Sequence, residues 1–219
     1  MNRIKKLMMC ILGGVMIMGL TGCNKEVEIR TELAPMYEVL DQQSIENFDI
    51  FSIEDNLRIY GMGSAKAFKT DLAISPDGQF EGMSYDLSVS ETEGYPTTYI
   101  DGNLKINTTS EVLSDRKMMF EEFHFSEDYF NSLELVEAFD HPSTYMKDMS
   151  YQEKFPSTYT KSLIGTYGLT SPTAAKIEVS KRRHDEKTFS YILTYSLYDG
   201  SDIEIIRVFK FVMEDMEDE

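Results

Sequence analysis

The chain has 219 residues, with 38 acidic against 21 basic side chains, two cysteines, 14 methionines and no tryptophan. A domain of this size buries a core of its own, and 26 phenylalanines and tyrosines are too many for a polypeptide that stays disordered throughout. The formal charge of −17 repels phosphate backbones, so nucleic acid is set aside as a partner.

Met1 to Lys6 is a basic start, and Leu7 to Leu20 is an apolar run. As a helix that run is about 21 Å long, short of the roughly 30 Å hydrocarbon core, which marks a secretory h-region rather than a permanent span. Leu20-Thr21-Gly22-Cys23 closes it and resembles the lipobox of bacterial lipoproteins, which reads Leu, a small residue, Gly or Ala, then Cys. The resemblance implies cleavage behind Gly22 and lipid attachment at Cys23: a diacylglyceryl thioether on the thiol, with room for a further palmitate-like chain on the new amine. A thiolate is the good nucleophile that this chemistry needs. Two chains, at about 0.8 kcal/mol per buried methylene, hold a protein on a bilayer, whereas one does not. Removal of residues 1–22 leaves 38 acids and 18 bases, a net charge near −20, and a single cysteine, so no internal disulfide forms.

Residues 23–33 are expected as a lipidated N-terminus and polar tether, 34–213 as one globular domain, and 214–219 as a solvated acidic tail. Leu33, Met36, Tyr37 and Leu40 recur at helical spacing, which predicts a helix over Pro35 to Gln43. Phe68, Thr70, Leu72 and Ile74 alternate with polar residues, as do Met83, Tyr85, Leu87 and Val89, and Ser75-Pro76-Asp77-Gly78 is the turn between two strands. Tyr99 to Leu104 reads as a second hairpin, its Asp101-Gly102 pair suited to a type I′ turn.

Ser126 before Glu127 and Asp128 predicts a helix start, with Leu133, Val136 and Phe139 as its buried stripe as far as Asp140. Pro142 to Lys147 recurs as Pro156 to Lys161, an internal repeat read as two Ser or Thr caps opening short helical turns. In the last hairpin, Phe189, Tyr191, Leu193, Tyr195 and Leu197 face Ile203, Ile205, Phe209 and Phe211. Pairing odd with odd numbers requires an odd-length loop, assigned to Tyr198, Asp199 and Gly200, with Leu193 opposite Ile205. Arg207 interrupts the apolar row and is expected to snorkel or pair. Ile206, Val208 and Val212 make the last strand apolar on both faces, which places it inside the sheet.

The chemistry-bearing residues form no recognisable catalytic motif. Glu122 and His124 share a face if they lie on a strand, His141 follows the expected helix, and His184 sits in a charged hairpin tip. Gly61 to Lys66 lacks phosphate-loop spacing, and Asp199 to Glu204 lacks EF-hand spacing. No metal, cofactor or catalytic residue is therefore nominated.

The order of elements predicts an α+β fold, a curved antiparallel meander or half-barrel packed with two or three helices. Leu57 to Asn107, including Tyr99 to Ile106, resembles the incomplete β-barrel of envelope lipoproteins and carriers of the LolA and LppX type. That resemblance implies a groove for an apolar ligand. The expected function is a non-enzymatic lipoprotein anchored at the extracytoplasmic face of the cell membrane, binding an apolar ligand or an envelope protein. Asn24 and the Lys-, Ile- and Tyr-rich composition lean toward a Gram-positive host. The alternatives are an envelope enzyme without a visible motif and a precursor whose cleaved h-region is a signalling peptide.

Overall fold

The structure, a computed structural model, describes residues 25–42, 45, 48–61, 65–141, 143–200 and 202–214. It is an α+β fold built on one ten-stranded antiparallel sheet. The strands are β1 (Ile50–Tyr60), β2 (Lys66–Ile74), β3 (Phe80–Asp86), β4 (Gly94–Ile100), β5 (Asn103–Ile106), β6 (Glu134–His141), β7 (Met146–Gln152), β8 (Lys176–Arg183), β9 (Thr188–Asp199) and β10 (Ile203–Glu214). Their spatial order is β5-β4-β3-β2-β1-β10-β9-β8-β7-β6. Two five-stranded meanders thus meet where the first strand pairs with the last, and the sheet stays open, with β5 and β6 as its edges.

The helices are α1 (residues 25–32), α2 (Ala34–Gln42), α3 (Glu111–Ser114), α4 (Met119–Glu122), α5 (Glu127–Ser132) and α6 (Thr158–Tyr167). The stretch that holds α3, α4 and α5 crosses the sheet from one edge to the other, and its rings mark the path. Phe120 packs on Tyr99 of β4 and Phe209 of β10 at 5.6 and 5.4 Å, and Phe130 packs on Tyr151 of β7 at 5.7 Å. These edge-on aromatic contacts add to the area that each ring buries.

Beneath this cover the inner row of the central strands is solid core. Tyr191, Leu193, Tyr195, Leu197, Ile205, Phe209 and Phe211 are all fully buried. Strand β10 lies between β1 and β9, as its two apolar faces require. Odd residues pair with odd across β9 and β10 through a three-residue loop, but that loop is residues 200–202, two places later than expected. Asp202, not Gly200, takes the positive φ of 67°. Leu193 therefore faces Phe209, and Ile205 faces Leu197. We expect Leu193→Ala to lower the urea-unfolding free energy by about 2–5 kcal/mol as a buried cavity. Ser190, on the face opposite Leu193, is also buried, with its Oγ 2.6 Å from His184 Nε2; Ser190→Ala should cost about 1 kcal/mol in the same assay.

Several expectations need correction. Residues 25–32 are helical rather than a loose tether, and Ile29 and Leu33 belong to the core. The helix begun at Ser126, whose side chain accepts from the Tyr129 amide, ends at Ser132, and Glu134–His141 is an edge strand. A register shift between Leu135 and Glu137 makes Val136 the extra residue of a bulge. In the repeat, Ser157 caps α6 through the Thr160 amide, whereas Ser143 to Tyr145 turn the β6–β7 hairpin, with Tyr145 at φ 49°. In β3 the buried side chains are Phe80 and Ser84, the face opposite Met83 and Tyr85, and Val89 lies beyond the strand, exposed.

That end of the inner face is polar by construction. Thr70, Ser84 and Thr97 are buried across three strands and joined by hydroxyl contacts of 2.8 and 2.9 Å. Between them and the turn, Gly82 passes so close to β2 that a Cβ would collide with the Asp71 carbonyl. Gly82→Ala should consequently destabilise by roughly 1–3 kcal/mol, read as a lower thermal midpoint.

Candidate functional site

The inner rows of β1 and β10 each carry one charge in an otherwise apolar series: Asp55 among Ile53 and Ile59, and Arg207 among Ile205 and Phe209. The strand register sets Arg207 opposite Leu57 and Asp55 opposite Phe209, so the two charges lie one diagonal step apart. Arg207 Nε donates to Asp55 Oδ1 at 2.9 Å and Nη2 to Oδ2 at 2.7 Å, a bidentate pair. Nη2 also donates to the Lys117 carbonyl at 2.6 Å, and Nη1 reaches the Tyr159 hydroxyl at 3.2 Å and pairs with Glu122. A second guanidinium joins from the chain between α3 and α4. Arg116 Nη2 donates to the Asp55 carbonyl at 2.9 Å and lies 3.5 Å from its carboxylate.

Burial alone would push the Asp55 carboxyl up and the Arg207 guanidinium down. Their mutual charge overrides burial, so Asp55 sits below the ordinary carboxylate value and Arg207 above the ordinary guanidinium value. Arg116 goes the other way. Burial, only partly offset by Asp55, and repulsion from Arg207 hold it below its usual value. Its Nε and Nη1 have no hydrogen-bond partner, and its guanidinium lies 5.7 Å from the centre of the Phe68 ring.

A pocket of about 170 Å³ opens over this cluster, lined by Leu57, Phe68, Val112 and Tyr167 on its apolar sides and by Lys66, Arg116, Lys117, Arg207 and Glu122 on its charged ones. Four cations and one acid in its wall make it electropositive within an acidic chain. Such an arrangement can hold and orient an anion. Asp55 locks Arg207 as a cation, and Arg116, although burial lowers it, is a guanidinium that stays charged in proteins, so they offer charge and donors rather than proton transfer.

A second buried acid is built differently. Glu153 accepts from the Tyr129 hydroxyl at 2.8 Å, the Thr160 hydroxyl at 2.8 Å and the Ser157 amide at 3.3 Å, and Thr160 continues to Tyr195 at 2.7 Å. Burial, and after it the Glu153 charge, push the Tyr129 hydroxyl far above its ordinary value, so it stays a donor. This network ties the start of α6 to the sheet. On the outer face a trough of about 380 Å³ runs past His141, Asp148, Ser150 and Arg182, with His141 3.7 Å from Asp148. A groove of about 340 Å³ lies beside α2 and α5, between Tyr37, Phe130, Glu38 and Asp41.

The residues singled out in the sequence are scattered. Cys23 and the tail beyond Glu214 lie outside the described residues. Glu122 is in α4, not on a strand, and joins Arg207, while His124 follows in an exposed loop. His141 is on a strand and stacks on Phe139. His184 does lie in the β8–β9 connection. Asp199 accepts from the Thr170 and Ser171 amides at 3.2 and 2.6 Å, a loop clamp. Among the described residues, no three potential ligands gather around a metal position, and no helix is long and apolar enough to cross a membrane. Asp55, Arg116 and Arg207 were not nominated as site residues; the signal was present as complementary charges interrupting two buried rows. No protein-family model matches this chain, and no curated protein matches it.

Proposed function

We propose that this chain is a lipid-anchored, extracytoplasmic binding protein, without catalytic activity, whose partner at the cell envelope is another protein. The address rests on the basic start, apolar run and Leu20-Thr21-Gly22-Cys23 sequence. The choice of a protein over an apolar ligand rests on one observation: the aromatic face of the sheet is sealed, with Tyr191, Tyr195, Phe209 and Phe211 fully buried beneath the helices. An apolar carrier needs that face open.

The favoured contact surface is the β6 edge, which has a strand neighbour on one side only. Val136 and Phe139 on β6 and Tyr145 in the following turn are exposed there, an apolar strip on an edge able to accept a further strand. A photo-crosslinking residue at Phe139, introduced in cells of the native host, should give one discrete protein adduct, and the same residue at Val89 should not. Native mass spectrometry of the purified domain showing a stoichiometric, non-covalently bound lipid would overturn the protein-partner reading.

A further inference from the structure

We propose that the pocket over the Asp55–Arg207 pair is a receptor for a small carboxylate that carries an apolar or aromatic group. The site stands independently of any partner at the β6 edge.

Charge is the first argument. Lys66, Arg116, Lys117 and Arg207 line the pocket with Glu122, and Asp55 lies directly behind them. Even with both acids counted, two positive charges are left over, in a chain whose formal charge is −17. Surface electrostatics elsewhere favour cations, so a concave cationic site of this kind is a local exception that a bound anion would neutralise.

Arg116 is the second. Only 9% of its surface is exposed, yet Nε and Nη1 lack acceptors. A buried guanidinium with open donors is costly, and buried polar groups in folded proteins are ordinarily satisfied. The carboxylate of Asp55 is already engaged in both oxygens by Arg207 and meets Arg116 only at 3.5 Å. Those two nitrogens are sealed from solvent as the site stands, so a carboxylate in the pocket meets them once the Arg116 side chain turns outward, and it then offers the planar geometry that a guanidinium matches.

Size and lining select the class of anion. The volume, about 170 Å³, is close to the roughly 150 Å³ of an engineered cavity that takes up benzene. Leu57, Phe68, Val112 and Tyr167 offer apolar contact that a fully hydrated inorganic anion would not use. A monoanion with one apolar group engages both halves of the wall.

The test uses the full chain in mild detergent, with sodium benzoate as probe and benzyl alcohol and inorganic phosphate as comparisons. Binding is read by methyl NMR at Leu57 and Val112 and by calorimetry. Benzoate should saturate with shifts at both methyl positions, and benzyl alcohol should bind at least about tenfold more weakly because it lacks the charge. Arg116→Met should remove binding. Lys117→Ala, an exposed position, should weaken it roughly two- to fivefold without moving the thermal midpoint. The proposal fails if benzoate does not saturate, if benzyl alcohol binds equally well, if phosphate displaces benzoate at equal concentration, or if folded Arg116→Met binds as before. Should Arg116→Met not fold, the doubly substituted Lys66→Ala, Lys117→Ala chain decides, and unchanged benzoate affinity in it overturns the proposal.

Discussion

Asp55→Ala should lower the unfolding free energy by about 3–5 kcal/mol, because it strands Arg207 and Arg116 in the core with no carboxylate between them. Urea unfolding with a fluorescence readout measures it. Replacing both partners, as Asp55→Ala with Arg207→Met, should recover a substantial part of that loss, since the penalty lies in the uncompensated charge rather than in the missing bond. A double variant as unstable as the sum of its single changes would show that the pair is not coupled. The same carboxylate predicts an acid limb. Its folded value is depressed, so its stabilisation is complete above the unfolded value of about 3.9 and is lost as pH falls below that through the folded value. In Asp55→Ala, stability should fall less steeply below about pH 4 than in the parent chain.

Cys23→Ser should abolish membrane retention and leave the precursor uncut behind Gly22. The thiol is the lipid acceptor that the Leu20-Thr21-Gly22-Cys23 reading requires, and the apolar run before it is too short to span stably. Cell fractionation with mass measurement of the product tests it. A serine variant that stayed with the membrane as a correctly cut product would overturn the lipoprotein reading. Because α1 already begins at residue 25 and packs Ile29 into the core, this anchor would sit almost directly against the folded domain.

What was legible in the sequence was whatever is set by neighbours. Asp101-Gly102 specifies its own turn, at φ 52° and 74°, and Ile100 pairs with Asn103 as that turn demands. Parity fixed the odd loop between β9 and β10, but not its place, because Asp202 can also adopt a left-handed φ and Asp199 is held by distant amides. The β6 segment misled for a definite reason. Leu133, Val136 and Phe139 are spaced as a helical stripe, but Leu133 is buried just before the strand, whereas Val136 is the bulge residue and Phe139 lies on the face opposite Ala138, and both are exposed. In β3 the hydroxyl ladder through Ser84 reverses the usual rule that the apolar face is the buried one. The ion pair lay beyond local reading altogether, as Asp55 and Arg207 are 152 residues apart and meet only through strand pairing.

The junction between the two meanders also sets a timetable. Within each five-stranded half, consecutive strands are neighbours and can zip together soon after they are made. The halves share one seam, β1 against β10, and β10 is the last strand among the described residues. Without β10 the two halves cannot join and Asp55 lacks Arg207, so completion waits for this strand and must bridge the widest sequence separation between paired strands. A chain that emerges N-terminus first would therefore hold its β1 edge unpaired until the end. If the chain is exported as the proposed lipoprotein reading requires, this delay would be useful, since a sheet that cannot finish early remains slack enough to pass a channel.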